Sequence, residues 1–528
     1  MLFNNKIADL SPEKRNTCAL ILVVLAGAGL RLFHLGTTSM WFDEAYSWHL
    51  AHQSAAKIIE LAKIDNTPPV YHLLLRFWLN LGAKSDFEVR LIAALFGILS
   101  IWMTYKLGKE IFGRTVGLTA AFISAVSFQL VRYAQENRMY SLQCLLALIS
   151  VYCFILMLKK TSGSLPYLGW LLSNILNFYN HLFTVFLLFG QWIYFLLYLK
   201  RNKRLFPAWL AVNLVLLLFC LPWLPVILRQ MGVIQTQYWV LPASVKEILK
   251  VGFHLLGGTD LGNKYLSAAL LNIPLIAAGV CGIWFVIKDR ANPLLTVPLV
   301  IFITPLAIVY IISLGGQSLF YYRYFVFLLP MLHLIFAAGI TRLAKKSLRI
   351  LLLGALALTS TIFLFCYYSK PQYSELLRMS LKEVAQAMEN ISSDGDVVIH
   401  LSPGNIGMNT FYTATRCTQG RYQQYIWRDQ PPPFFFGGSL YKNEYGITNL
   451  DRLPAASRIF VIVASPDGKR HDALGLPYFL KPDYELSQTP LSFPDRLWHQ
   501  LSERGFRLAF RQNFGKLTLA EFSKGELP

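Results

Sequence analysis

The sequence predicts a mostly α-helical, polytopic membrane protein with a soluble α/β domain at its C-terminus. Of its 528 residues 55% are hydrophobic and its mean hydropathy is +0.43, whereas soluble domains average about 45–50% apolar residues. The excess lies in runs that approach the ~20 residues needed to span a bilayer. Only 15% of the residues are charged, yet the net charge is +20, which is typical of basic cytoplasmic loops.

Eleven apolar segments are predicted to span the membrane. The first follows a basic N-terminus and is predicted to be a retained helix, because its apolar run lacks a convincing small-residue cleavage site. With the N-terminus inside, connections such as KLGKEIFGR, LKRNKR and RLAKKSLR face the cytoplasm, and all are short and basic. Because the number of spans is odd and the N-terminus is inside, the loop 37–87 and the C-terminus are placed outside. The spans are about 17–36, 88–106, 115–132, 139–158, 165–181, 182–200, 205–227, 266–287, 293–314, 324–342 and 349–368.

The first outer loop, about 37–87, is predicted to contain interfacial helices. In the stretch AYSWHLAHQSAAKIIELAKI, residues 45–64, apolar residues recur at helical spacing, which indicates an amphipathic helix lying flat on the membrane. The stretch DNTPPVYHLLLRFWLNLG follows. Its apolar part is too short to span the bilayer, so it too is predicted to be interfacial.

The composition changes near residue 371, which divides the chain into a membrane domain (1–370) and an extracytoplasmic α/β domain (371–528). The stretches SELLRMSLKEVAQAMENI and FPDRLWHQLSERG favour helices. DVVIHL, RIFVIVAS and FRLAFRQNFGKLTLAEF favour strands, and DQPPPFFFGG favours a loop. The seven cysteines form no CxxC pair, which argues against a disulfide framework and a zinc site.

The stretch WFDEAYSW places two adjacent acids, Asp43 and Glu44, at the outer membrane surface. A carboxylate in water is a poor base, but a low-dielectric surface disfavours its ionised form and makes it a stronger one. Such a group is suited to accept the proton of an acceptor hydroxyl. The alternative is an ordinary polar loop whose aromatic neighbours form an interfacial belt.

Two arginine-containing stretches are candidates for phosphate binding. VRYAQENRMYS contains Arg132, Glu136 and Arg138, and GGQSLFYYRYF contains Arg323. Guanidinium groups bind phosphate oxygens in a bidentate fork, and an arginine at an outer helix end favours an anionic partner. The alternatives are a local Arg132–Glu136 pair and arginines that snorkel to the interface.

Two further stretches place polar residues on the outer side. NTPPVYH contains Asn66 and His72, and NFYNHLF contains His181. These residues are candidates for lining a polar pocket. The simpler alternatives are a turn between two interfacial helices and a hydrogen-bonded histidine at a helix interface.

The order and spacing of WFDEAYSW, NTPPVYHLLL, VRLIAALFGILSIWMTYKLGKEIFG, YAQENRMYSL and YYRYFVFLLP resemble the bacterial GT-C glycosyltransferases related to protein O-mannosyltransferases and lipid A aminoarabinose transferases. The resemblance covers about 15–345. It implies an active site on the extracytoplasmic side and a sugar donor carried on a polyprenyl phosphate. No such resemblance covers the C-terminal domain.

The resemblance also implies roles for individual residues. Asp43 matches the catalytic aspartate, Glu44 the adjacent acid and Glu136 a second acid. Arg138 and Arg323 match donor-phosphate contacts, and Asn66 stands where some relatives carry Lys or His. Together with these, the expected phosphate site includes Arg132, and the expected substrate pocket includes Asn66, His72, Tyr133, Tyr140, His181 and Tyr322.

The expected activity is inverting transfer of a hexosyl or pentosyl group to a hydroxyl, amine or phosphate of a lipid, glycan or protein acceptor. The expected location is the bacterial inner membrane. Polyprenyl donors need no nucleotide site, which agrees with the lack of a Walker or Rossmann glycine motif. A divalent ion bound near the acids is an alternative that the sequence leaves open, although the sequence has no metal-ligand spacing. The composition excludes nucleic acid as a partner. The alternatives are a transporter or flippase, or a binding protein, for lipid-linked sugars.

Overall fold

A computed structural model describes residues 11–524, apart from 161–162, 238–239, 241, 257–271, 290, 370–372, 394, 402–410, 412–413, 416–417, 419–421, 428–445, 465–494 and 515–516. The chain divides into two compact units. The first comprises residues 1–35, 67–74 and 88–369, and the second comprises residues 36–66, 75–87 and 370–528. The loop predicted over DQPPPFFFGG, residues 429–438, lies outside the described residues.

The described helices are numbered in chain order. They are α1 (Pro12–Leu32), α2 (Phe42–Ala51), α3 (Ala55–Ala62), α4 (Val70–Asn80), α5 (Asp86–Phe112), α6 (Arg114–Val126), α7 (Phe128–Ala134), α8 (Tyr140–Leu158), α9 (Leu165–Phe178), α10 (Thr184–Leu197), α11 (Leu199–Asn202), α12 (Phe206–Cys220), α13 (Leu224–Gln237), α14 (Val245–Leu255), α15 (Ile273–Lys288), α16 (Val297–Leu314), α17 (Leu329–Arg342), α18 (Lys346–Ser369), α19 (Tyr373–Ile391) and α20 (Asp495–Glu503). Short 3₁₀ segments include Tyr322–Leu328.

The first unit is a helical membrane domain, and the predicted fold class is confirmed. Among the described residues, seven helices are long and apolar enough to cross a membrane, or eight if the bent pair α6–α7 counts as one span. The described part of each of the eleven predicted spans coincides with a helix or run of helices, and residues 266–271 of the span 266–287 lie outside the described residues. Three of them fall on helices of only 14 to 16 residues, namely α9, α10 and α15.

Glycines allow some membrane helices to cross at very short distances. Where α15 crosses α17, a Cβ atom on Gly282 would lie 2.1 Å from the carbonyl oxygen of Ile335. A Cβ atom on Gly339 would lie 2.2 Å from the carbonyl oxygen of Ala278. Small residues at such crossings let two backbones approach and gain van der Waals contact, which stabilises helix pairs in membranes.

The first loop is helical, but the single amphipathic helix predicted over residues 45–64 is in fact two helices. α2 ends at Ala51, and α3 begins after Ser54, whose hydroxyl accepts a hydrogen bond from the backbone N–H of Lys57 at 3.2 Å. Serine is a favoured N-cap because its side-chain oxygen satisfies a free amide of the first turn. This local bond ends the periodicity that otherwise runs through both helices.

The C-terminal part of the second unit is an α/β sandwich around a six-stranded sheet in the order β3-β2-β1-β4-β6-β5. Strands β3, β2, β1 and β4 run parallel to one another, whereas β6 is antiparallel to both β4 and β5. Side chains of α19 pack with residues such as Val398 and Phe460, and side chains of α20 pack with Val397 and Val461, so that each helix covers one face. The strands are β1 (Val397–Leu401), β2 (Gln423–Trp427), β3 (Gly446–Ile447), β4 (Arg458–Ala464), β5 (Phe506–Phe514) and β6 (Leu517–Lys524).

Candidate functional site

The site in the membrane unit begins at a break in the third predicted span. α6 and α7 are bent by 60° relative to each other. The break leaves the last carbonyl groups of α6 without helical partners, and buried Arg31 binds two of them. Its Nη1 donates to the carbonyl oxygen of Ala125 at 3.0 Å, and its Nη2 donates to that of Ser124 at 3.1 Å. A positive charge at this position also stabilises the C-terminal end of the helix dipole.

Gln135, the residue after α7, makes the reciprocal contact with α1. Its Nε2 lies 2.7 Å from the carbonyl oxygen of Phe33 and 3.2 Å from those of Leu30 and Arg31. These carbonyls are at the C-terminal end of α1, where helical partners are again missing. Each helix end is therefore capped by a side chain from the other, and the segment 132–138 that follows the break is held in a fixed position.

Arg132 and Glu136 form the predicted local pair, with Arg132 Nε 3.7 Å from Glu136 Oε1. The guanidinium also lies over the ring of Tyr133, 5.7 Å from its centroid. Tyr133 in turn lies close enough to Tyr322 and Arg323 to interact with them electrostatically. The break and the 3₁₀ segment Tyr322–Leu328 thus bring two of the predicted phosphate-binding arginines into one cluster.

Arg138 is held by a tight turn. Its backbone N–H donates to the carbonyl oxygen of Glu136 at 2.7 Å. The Tyr71 hydroxyl of α4 donates to Asn137 Oδ1 at 2.9 Å. Both Asn137 and Arg138 are buried, so the turn places a guanidinium inside the protein rather than at its surface.

Two buried histidines lie near the arginines, and burial is the main cause of their low pKa values. Burial and the positive charge of Arg138 lower the pKa of His72 to about 3. His181 lies in the connection between α9 and α10, where burial and the charges of Arg138 and Arg323 lower its pKa to about 3. Both imidazoles are therefore neutral near pH 7, and the local field favours an anion.

Aromatic rings enclose this cluster. The ring of His181 lies 5.9 Å from those of Tyr140 and Tyr324. The Arg323 guanidinium lies over the ring of Tyr324 at 6.0 Å, and Tyr322 stacks on His254 at 4.0 Å. Rings in these positions exclude water, which strengthens each electrostatic interaction of the arginines.

The two acids of the first loop belong to the second unit and occupy the first turn of α2. Glu44 is fully buried, and its Oε2 accepts a hydrogen bond from the backbone N–H of Trp41 at 3.3 Å. Asp43 is partly exposed. In the same unit, Tyr46 donates a hydrogen bond to the buried carboxylate of Asp65, and Asn66 lies half-buried in the turn before α4. Asp43 and Glu44 therefore lie in a helix, and not in the ordinary polar loop that was the alternative.

Most of the predicted site residues thus lie together in the membrane unit. Sequence reasoning missed four further residues there: Arg31, Gln135, Tyr324 and His254. An arginine in the last turn of a first span is typical of snorkelling, and nothing in the sequence shows that Arg31 is buried instead. Among the described residues, no group of three or more His, Cys, Asp or Glu side chains is placed to hold a metal ion. The clustered predicted residues are His72, Arg132, Tyr133, Glu136, Arg138, Tyr140, His181, Tyr322 and Arg323.

Known proteins share this architecture. Residues 66–225 match a sequence model of the family described as dolichyl-phosphate-mannose-protein mannosyltransferase. The crystal structure of apo ArnT from Cupriavidus metallidurans superimposes with a TM-score of 0.65 at 10% identity, covering 96% of this chain and 98% of that one. The undecaprenyl-phosphate-bound form of ArnT gives a TM-score of 0.59 at 11% identity, over 95% of this chain and 97% of that one.

Arabinofuranosyltransferase AftD from Mycobacteria gives a TM-score of 0.51 at 12% identity. The match covers 98% of this chain and 40% of that one. No curated protein matches this chain significantly at the level of sequence. The resemblance to the GT-C glycosyltransferases is confirmed: the chain is an integral membrane protein with the GT-C fold, and its residues 66–225 match the mannosyltransferase family.

Proposed function

We propose that this protein transfers a sugar from a polyprenyl-phosphate donor to an acceptor on the extracytoplasmic face of the membrane. The observation that carries the proposal is the electropositive, water-poor cluster formed by Arg132, Arg138 and Arg323. A phosphate attached to a lipid is an anion that reaches a protein within the membrane, and it suits such a cluster. ArnT, whose fold is similar, was solved with undecaprenyl phosphate bound.

The chemistry follows from the residue types. Asp43 accepts the proton of the acceptor hydroxyl while that oxygen forms a bond to the anomeric carbon. The bond between the anomeric carbon and the phosphate oxygen breaks, and the bonding electrons leave with the carrier phosphate. Attack from the opposite face inverts the anomeric configuration. The phosphate leaves without a proton, so the arginines supply charge stabilisation and one base is sufficient.

The two carboxylates of α2 are suited to different tasks. Asp43 is partly exposed and therefore accessible to an acceptor. Glu44 is buried and bonded to the amide of Trp41, so we assign it the task of holding the first turn of α2. Glu136 is ion-paired with Arg132, and we assign it the task of orienting that guanidinium.

The proposal is tested with the purified full-length protein in detergent. The protein is incubated with polyprenyl-phosphate donors carrying radiolabelled hexoses or pentoses, together with lipid and glycan extracts of the membrane. We expect release of free carrier phosphate together with transfer of the label to one acceptor class. Retention of the intact donor across all sugars and acceptors overturns the proposal and favours a transporter or a binding protein.

A further inference from the structure

His181 has a fixed orientation and a fixed tautomer. Its Nδ1 lies 3.2 Å from the backbone nitrogen of Phe183, which donates a hydrogen bond to it. An imidazole nitrogen that accepts a hydrogen bond carries no proton, so in the neutral ring the proton is on Nε2. The backbone of His181 is also fixed, because its carbonyl oxygen accepts a hydrogen bond from the Thr184 hydroxyl at 2.9 Å and its N–H donates to that of Asn177 at 2.8 Å.

The Nε2–H group has no hydrogen-bond partner among the described residues, although only 7% of the residue is exposed. The residue is thus nearly enclosed while its Nε2–H stays available to donate a hydrogen bond, which suits a group that meets a ligand. The positive charges of Arg138 and Arg323 both act on His181. The rings of Tyr140 and Tyr324 each lie 5.9 Å from that of His181, measured between centroids.

We infer that His181 binds the donor phosphate by donating a hydrogen bond from Nε2–H to one of its oxygens, between Arg138 and Arg323, and that it does so as a neutral imidazole. The inference rests on the proposed function and adds an uncharged phosphate ligand to the arginines, one that takes no part in proton transfer. A neutral donor suits this position because a third positive charge would be repelled by the two guanidinium groups. The alternative acceptor for the Nε2–H group is an oxygen of the sugar, and the experiment distinguishes a phosphate contact from a sugar contact.

Direct binding of undecaprenyl phosphate, which carries no sugar, is the measurement. It is made by isothermal titration on the detergent-purified, full-length protein. The amide nitrogen of Gln reaches about as far as Nε2, whereas that of Asn reaches only about as far as Nδ1. We therefore expect His181→Gln to bind within about threefold of the unmodified protein. His181→Asn and His181→Ala lose one hydrogen bond to a charged group, which corresponds to a loss of about 10- to 100-fold.

The pH dependence tests the protonation state. The lipid phosphate titrates near pH 6 itself, so the informative quantity is the ratio of the affinities of the unmodified protein and His181→Gln. In the part of the chain that the structure describes, the ring interacts with two charged groups, Arg138 and Arg323, and with the titratable rings of Tyr140 and Tyr324. We expect a constant ratio from pH 5.5 to 8. If the affinity of the unmodified protein, relative to that of His181→Gln, rises several-fold below pH 6.5, the imidazole binds as a cation. That result overturns the inference.

Further outcomes separate this inference from the proposed function. His499→Ala, which changes a histidine that is 75% exposed, controls for removing an imidazole. If Arg138→Gln weakens lipid binding while His181→Asn and His181→Ala do not, the phosphate contact is wrong. If those two His181 variants then lower the rate of sugar transfer alone, the contact is to a sugar oxygen. If even the unmodified protein fails to bind undecaprenyl phosphate, the proposed function itself fails.

Discussion

At the scale of single residues, adjacent side chains of the same charge have different surroundings. Asp43 and Glu44 are neighbours, yet Glu44 is buried and bonded to the Trp41 amide, whereas Asp43 is partly exposed. The sequence predicted the position of this pair because it follows the first span directly. It did not distinguish the two acids, because their difference depends on which one faces inward from the first turn of α2.

The difference predicts the effect of removing each charge. Asp43→Asn keeps the shape of the side chain but removes its basicity, so we expect the transfer rate to fall by about 10²- to 10⁴-fold. Binding of undecaprenyl phosphate and thermal stability stay unchanged. Glu60→Gln is a matched control in the same loop, because Glu60 is exposed and paired only with Lys57 among its described contacts. An Asp43→Asn protein that transfers sugar at the normal rate disproves the assignment of the base.

A second residue-scale prediction concerns His400 in strand β1. Its Nε2 lies 2.7 Å from Gln424 Oε1, and burial lowers its pKa to about 4. The His400 imidazole binds a proton below about pH 6.5 in the unfolded chain, but only below about pH 4 in the folded chain. The contribution of His400 to stability is therefore present above pH 6.5, and it is lost between pH 6.5 and 4 at up to about 1.4 kcal/mol per pH unit.

Hydrogen exchange of the peptide spanning residues 397–401 in the full-length protein measures this effect. We expect protection to decrease between pH 7 and 5 in the unmodified protein, after correction for the intrinsic exchange rate. In His400→Gln, which retains a hydrogen-bonding amide, the decrease is smaller. Equal pH dependence in both proteins contradicts the prediction, and the exposed His499 again supplies the control substitution.

At the scale of elements, long apolar runs were predictable and short local contacts were not. The described part of every predicted span is helical, because length and hydropathy are read directly from the chain. Strand β2 was missed because its sequence QQYIW is short and half polar, and it is a strand through its parallel pairing with β1. Likewise the break between α6 and α7 depends on Arg31, which is far away in the sequence.

Loss of the reciprocal caps is expected to affect the arginine cluster. Arg31→Leu leaves the carbonyls of Ser124 and Ala125 without a partner and removes a favourable charge from the end of α6. We expect a lower midpoint of thermal unfolding and at least tenfold weaker binding of undecaprenyl phosphate, because the segment 132–138 is displaced. Arg114→Gln, at an exposed ion pair with Glu13, is the control. Normal lipid binding by a folded Arg31→Leu protein shows that the caps do not position the cluster.

The crossing of α15 and α17 gives a prediction about stability alone. Leucine at position 339 has no space, because even a Cβ atom there would lie 2.2 Å from the carbonyl oxygen of Ala278. We expect Gly339→Leu to separate the helices and to lower the yield of folded protein severely. Gly354→Leu in α18 is the matched control, since no atom lies within 4 Å of a Cβ at that position. Similar thermal unfolding of both variants argues against close packing at the crossing.

At the scale of the whole molecule, the net charge of +20 and its distribution predict orientation. The short basic connections, such as the one after α17, are expected in the cytoplasm, and the first loop and the C-terminal domain are expected outside. Topology follows from charge because basic loops are retained inside during insertion. The identity of the sugar does not follow from charge or hydropathy, because it depends on the positions of a few hydrogen-bonding atoms.

Reporter fusions measure this orientation in a bacterial inner membrane. Alkaline phosphatase inserted near residue 53 or joined after residue 524 is expected to be active. A fluorescent protein, which folds only in the cytoplasm in this assay, is expected to be fluorescent when joined after residue 344. The opposite pattern places Asp43 in the cytoplasm, and it contradicts both the location and the assignment of the base.

The mutual capping of α1 and the α6–α7 break has a consequence for biosynthesis. Arg31 is near the end of the hydrophobic helix α1, while the carbonyls that receive it belong to residues 124 and 125, which are synthesised later. Until more than ninety further residues have been made, these two carbonyls are missing, and within its own helix that guanidinium has the carbonyl oxygen of Gly27 as a partner. Helix α1 is therefore expected to reach its final depth late, after a downstream segment arrives beside it, rather than when it first enters the bilayer.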